Sequence, residues 1–173
     1  MRMTEKAIMN RAPSVAALGE AGMRGVVYQE VFGPDPAAAA ESLDGLRSFL
    51  SALRGRESDL VRVGISPHAP YTVSDELYRG VTELAMAEEL PMALHIAESR
   101  AEHELVRGGE GDFAPGLRAR GIATPPRGAS PIELLDRLGV LRARPLLIHV
   151  VDADPADIGR IADSGSSVAH CPT

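Results

Sequence analysis

Leu90-Pro91-Met92-Ala93-Leu94-His95-Ile96-Ala97-Glu98-Ser99 is the stretch that decides the fold, because a short apolar run ending in His-x-x-Glu reads as a strand with chemistry at its tip. In a strand, successive side chains alternate between two faces. Met92, Leu94 and Ile96 therefore share one face, and Ala93, His95 and Ala97 share the other. Bulky apolar groups on one side and a histidine between two small residues on the other suit a parallel strand buried on both faces, with helices outside and a barrel axis inside. Glu98 has the wrong parity to join His95 within the strand. It can approach only if the strand ends near Ala97 and the chain begins to turn.

Working outward, apolar runs bounded by turn residues recur on both sides. Gly25–Gly33 reads as a strand ended by Pro34-Asp35-Pro36, Val61–Ser66 as a second, Pro145–Val150 as one that again ends in histidine, and Ser167–Pro172 as a last. Between them lie helical patterns. Leu43, Leu46, Phe49, Leu50 and Leu53 share a face that Gly55 closes. Ser74 can cap a helix with Asp75 and Glu76 in its first turn and a buried stripe of Leu77, Val81, Leu84 and Ala85. Val15, Leu18 and Ala21 suit a short helix over 13–21, preceded by a patternless 1–11. A short helix over 101–106 leads into a Gly- and Pro-rich excursion over the site mouth. Ser130-Pro131-Ile132-Glu133 reads as a capping box before Leu134, Leu135 and Leu138, and Asp154-Pro155 opens a helix that uses Ile158 and Ile161 and ends at Gly165.

Alternating strands and helices imply repeated βαβ units and a parallel sheet. An open flavodoxin-like sheet and a partial (β/α)8 barrel both accommodate the pattern. Glu30, His68, His95, His149 and His170 all fall at or just past strand C-termini, the face where barrel enzymes assemble their sites, and this favours the barrel.

The chain has 173 residues, 45% of them hydrophobic, enough for one domain with a core; aromatics are 3% and tryptophan is absent. A net charge of -6 without a basic stripe argues against nucleic acid or an anionic membrane as partner, and the apolar runs are too short for a membrane span or secretory leader. One cysteine, Cys171, permits no internal disulfide and suggests a reducing, cytoplasmic setting; it reads as a small buried packing residue.

A lone strand histidine is ordinarily a satisfied core group. His149 at the end of the next strand changes that reading, because adjacent barrel strands bring both imidazoles to one mouth. Neutral imidazole is a good zinc ligand, and a nearby carboxylate can take a proton from water whose pKa a metal has lowered. His68, between prolines, reads equally well as a held loop residue or a functional one. His103, in a charged turn with Glu102 and Glu104, is expected to face solvent.

Ser66-Pro67-His68-Ala69-Pro70-Tyr71-Thr72, Leu94-His95-Ile96-Ala97-Glu98-Ser99, Leu147-Ile148-His149 and Ala169-His170-Cys171-Pro172-Thr173 together resemble the ordered signatures of the amidohydrolase superfamily, in its aminohydrolase and chlorohydrolase branch. The resemblance runs from about Gly25 onward. It implies that His95 ligates one divalent metal ion, Zn2+ with Fe2+ as the alternative. It further implies that Glu98 shuttles protons, that His149 holds the attacking water or the leaving group, and that His68 contacts the substrate, with Glu30 grouped beside it.

The implied reaction is hydrolytic deamination of a purine-like or other aminated heterocycle, a small-molecule substrate, in a protein that could form a homo-oligomer. That family also takes ligands from a His-x-His on the first strand and an aspartate on the eighth, and neither is found here. The expectation is a single incomplete barrel domain over 1–173, about strands three to seven of eight, weak in zinc binding and inactive alone. The competing expectations are a non-catalytic α/β binding or regulatory domain and a metal-free open-sheet enzyme. Convergence of His95 and His149 separates the metal site from these.

Overall fold

Five parallel strands follow one another in chain order, the first two paired as one sheet and the last three as another, without the reversal that an open doubly wound sheet requires. They are β1 (Gly25–Val31), β2 (Val61–Pro67), β3 (Ala93–Ile96), β4 (Leu146–His149) and β5 (Ser167–His170). The computed structural model describes residues 11–172, so the patternless start lies almost wholly outside the described residues. Gly25 pairs with Val61 through to Val31 with Pro67, Ala93 with Leu146 through to Ile96 with His149, and Leu146 with Ser167 through to His149 with His170.

The seam between β2 and β3 is looser. It is closed by an Ile65–Met92 bridge, by the Ile65 amide donating to the Pro91 carbonyl at 2.9 Å, and by the His95 amide donating to the His68 carbonyl at 2.8 Å. Gly64 is required there, since a Cβ would lie 2.6 Å from the Pro91 oxygen and 2.7 Å from the Tyr28 ring.

The helices are α1 (Ala12–Glu20), α2 (Ala39–Arg54), α3 (Asp75–Ala87), α4 (Arg100–Gly108), α5 (Ala114–Arg118), α6 (Pro131–Arg137) and α7 (Pro155–Ser164). Their stripes are the expected ones in most cases. Leu46, Leu50 and Leu53 of α2 are buried, as are Leu77, Val81, Leu84 and Ala85 of α3, whose Ser74 cap accepts from the Leu77 amide. These meet Val63, Ile65, Leu94, Ile96 and Leu147 from the strands in one apolar core. In β3 both faces are covered, and His95 alone keeps partial access to solvent.

Several expectations are corrected. The segment after α4 is not merely irregular: α5 forms within it, and Leu105, Ala114, Leu117 and Ile122 bury one another beneath Tyr71 and Phe113. Ser130 does cap α6, but Glu133 turns away to Arg137 at 2.6 Å, so the box is half made; the reciprocal box occurs on α7, between Asp154 and Asp157. Ile158 is 59% exposed, and Ile161 alone anchors that face of α7. Cys171 is exposed rather than buried, because it follows β5, which among the described strands pairs only with β4.

Candidate active site

The parallel register levels the strand ends, and the chain leaves β3 and β4 through backbone that few side chains adopt. Ala97, His149 and Val150 have φ of +49°, +79° and +51°. Each such residue costs about 1–2 kcal/mol, and hydrogen bonds hold the turns. The Val150 amide donates to the Ile96 carbonyl at 3.0 Å, and those of Val151 and Asp152 donate to the Ala97 carbonyl at 2.8 and 2.9 Å. The early strand end that Glu98 needed is thus present, with β3 stopping at Ile96.

The turns deliver the expected groups to one rim. His95 Nδ1 lies 3.0 Å from His149 Nε2, and Glu98 Oε1 lies 3.5 Å from the same His149 nitrogen. The His68 ring is 4.9 Å from that of His95, centre to centre. The ligating atoms of His95, Glu98 and His149 lie within 4.8 Å of one another, as do those of Glu30, His68 and His95, so His95 belongs to both groups. Glu30 is also paired with Arg11 at 2.5 Å. The Thr72 hydroxyl donates to the Ala69 carbonyl at 3.1 Å, which leaves Thr72 Oγ1 to accept from His68 Nδ1 at 2.8 Å and frees the His68 Nε2 lone pair.

Burial, and next the neighbouring imidazole, push both His68 and His95 below the ordinary histidine range, with Glu30 and Glu98 pulling the other way. Both rings are therefore neutral at pH 7, the form that ligates metals. Tyr71 donates to Glu98 Oε2 at 3.1 Å and stacks on Phe113 at 4.2 Å; burial and then the Glu98 charge hold its phenol far above the ordinary value, so it stays a donor. Two imidazoles and a carboxylate whose ligating atoms lie within 4.8 Å of one another form a donor set that suits zinc.

The remaining histidines stand apart. His170 accepts no place in the cluster, its Nδ1 bonding the His149 carbonyl at 2.8 Å from an exposed position. His103 is half-buried rather than free in solvent, 3.2 Å from Asp152, because the turn after β4 folds over α4. Glu102, by sequence part of a charged turn, is fully buried behind Glu98. The signal that could have found it is Ser99-Arg100-Ala101-Glu102, a capping-box pattern directly after the His-x-x-Glu. A cleft of about 550 Å3 between the loops after β1 and β2 and the α4–α5 segment is lined by none of the clustered histidines, so the chemistry is placed by the side chains and not by that hollow.

The sequence profile of the amidohydrolase family matches residues 5–173. The chain belongs to that family. It is 38% identical over 172 residues to the aminodeoxyfutalosine deaminase of Deinococcus radiodurans, covering 93% of the chain and 41% of that protein. Among solved structures it resembles the aminofutalosine deaminase of Helicobacter pylori, at a TM-score of 0.78 and 22% identity over 92% of this chain and 40% of that one. It also resembles an adenosine deaminase from Xanthomonas campestris with bound zinc, at 0.61 and 27% over 91% and 32%. The chain thus spans about two fifths of the curated relative's length. No helix among its described residues is long and apolar enough to cross a membrane.

Proposed function

We propose that this chain is part of a zinc-dependent cytoplasmic enzyme that hydrolyses the exocyclic amine of a 6-aminopurine nucleoside. Water adds to the ring carbon, the amine departs as ammonia with one of the water's protons, and the other proton passes to the adjacent ring nitrogen as the carbonyl forms. The observation that carries the reading is the meeting of His95, His149 and Glu98 within 3.0 and 3.5 Å at adjacent strand ends. That convergence favours a metal site over a binding module whose histidines are merely satisfied, and the unreversed strand order favours a barrel over an open sheet. The five strands serve as the third to seventh of an eight-stranded barrel forming a single domain.

His95 would hold the metal, zinc in preference to Fe2+. When bound, the ion supplies a water of lowered pKa. Glu98 accepts the water's proton and returns it to the leaving amine, its second oxygen meanwhile fixed by Tyr71. His149 holds the oxygen that becomes the carbonyl. His68 presents its free Nε2 to the substrate, with Glu30 beside it. Catalytic zinc takes three protein ligands, and the strands completing the barrel would provide the others.

The nucleoside class is supported by relatives named for aminodeoxyfutalosine and adenosine. The test places residues 1–173 in the matching segment of the Deinococcus relative, loads zinc, and measures ammonia release from aminodeoxyfutalosine, S-adenosylhomocysteine and adenosine. Release from at least one is expected, with Glu98→Gln slower by about 100-fold or more. No release from any of them, or full rate in Glu98→Gln, would refute the proposal.

A further inference from the structure

The carboxylate of Glu102 is fully buried yet pairs with no cation among the described residues. Its two oxygens are divided between two consecutive main-chain amides. Oε1 accepts from the Ala97 amide at 2.9 Å and Oε2 from the Glu98 amide at 3.0 Å. Glu102 sits at the third position of α4, whose Ser99 cap accepts from the Glu102 amide at 3.4 Å. A capping glutamate there ordinarily reaches back to the amide of the cap itself. Here it reaches one and two residues further, past Ser99, to the residues that leave β3.

Those two amides are the ones that define the turn. Ala97 has φ +49°, and its carbonyl is held from the opposite side by the Val151 and Asp152 amides at 2.8 and 2.9 Å. Its peptides are therefore clamped on both sides, by Glu102 beneath and by the turn after His149 beside it. A left-handed alanine persists only where its surroundings over-determine it. Without Glu102 the Ala97 amide has no acceptor, and relaxation of Ala97 towards ordinary β backbone would swing Glu98 to the opposite parity, away from His149.

We propose that Glu102 is a positioning residue: by accepting both amides it locks the left-handed turn at Ala97 and so aims the Glu98 carboxylate at His149. It touches neither metal nor substrate and acts only through Glu98. The inference rests on the proposed role of Glu98 in moving the proton, and deepens it.

Glu102→Gln keeps the shape but retains one accepting oxygen in place of two. In the zinc-loaded enzyme carrying this chain, it should lower kcat for ammonia release by about 10–100-fold, the range seen when a partner behind an active group is lost. KM should stay within about twofold, because substrate contacts are untouched. In a Glu98→Gln background the same substitution should cost nothing further, since its route to the reaction is already severed. An unchanged kcat, or an equal loss in both backgrounds, would overturn the inference.

The second measurement needs no turnover. In the full chain, amide hydrogen exchange at Ala97 and Glu98 should accelerate in Glu102→Gln, and a crystal structure should show the Glu98 carboxylate displaced from the 3.5 Å approach to His149. Exchange and distance equal to wild type would overturn the inference. Wild-type enzyme that releases no ammonia would instead sink the proposed function, and the exchange and distance would then decide the role of Glu102 alone.

Discussion

Replacing Glu102 by Gln removes a titrating carboxyl from the interior, and the stability difference between the two proteins should depend on pH with a definite sign. Burial raises the Glu102 carboxyl from its ordinary 4.5 to about 7, although the Glu98 and Ala97 amides act in the opposite sense. A carboxyl whose folded value lies above its unfolded value binds its proton more tightly when folded. Its contribution is fully present below pH 4.5 and is lost as pH rises to about 7. At about 1.4 kcal/mol per pH unit, the separation is worth about 3 kcal/mol.

Gln does not titrate, so wild type should lose about 3 kcal/mol relative to Glu102→Gln between pH 4.5 and 7, and nothing more above that range. Urea denaturation of both proteins at half-unit steps from pH 4.5 to 8 isolates the effect, since Glu102 is the one titrating group that the substitution removes. A difference constant to within about 0.5 kcal/mol would refute the burial argument, being far below the expected change. A wild type that gains on the variant with rising pH would mean that the two amide donors outweigh desolvation.

Ser130→Ala removes both the cap on the Glu133 amide and the hydroxyl that donates to buried Asp157 at 2.5 Å, and should cost about 1–3 kcal/mol in thermal or urea unfolding. Leu147→Ala, in the middle of β4 and fully buried, should cost about 2–5 kcal/mol, whereas Ile158→Ser on the exposed face of α7 should change stability by less than about 0.5 kcal/mol. Because His95 is pushed below the ordinary histidine range, competition from protons should set in at lower pH than for free imidazole, so zinc affinity should hold through mild acidification and fall beyond it. Calorimetric titration of zinc against pH, in the enzyme completed with the strands of the Deinococcus relative, checks this, with His95→Ala as the control expected to weaken binding.

The alternation of apolar runs and helical stripes was enough, by itself, to establish parallel βαβ units, since strand and helix periodicities are local and each strand here is bounded by its own Gly or Pro. The polar residues at strand ends were equally legible: His68, His95, Glu98 and His149 could be picked out because a parallel sheet puts every strand's C-terminus on one face. Distances were not legible. That His95 and His149 stand 3.0 Å apart depends on β3 and β4 being neighbours in a given register, a pairing between residues 54 positions apart that no local pattern encodes.

The burial of Glu102, the exposure of Cys171 and Ile158, and the small core around α5 were likewise settled only by packing, because each depends on what another part of the chain lays over it. The left-handed turns at Ala97 and His149 belong to the same class. Nothing in an alanine or a histidine asks for positive φ, and the conformation exists only because main-chain bonds between the adjoining strand ends and the Glu102 carboxylate from α4 hold it there.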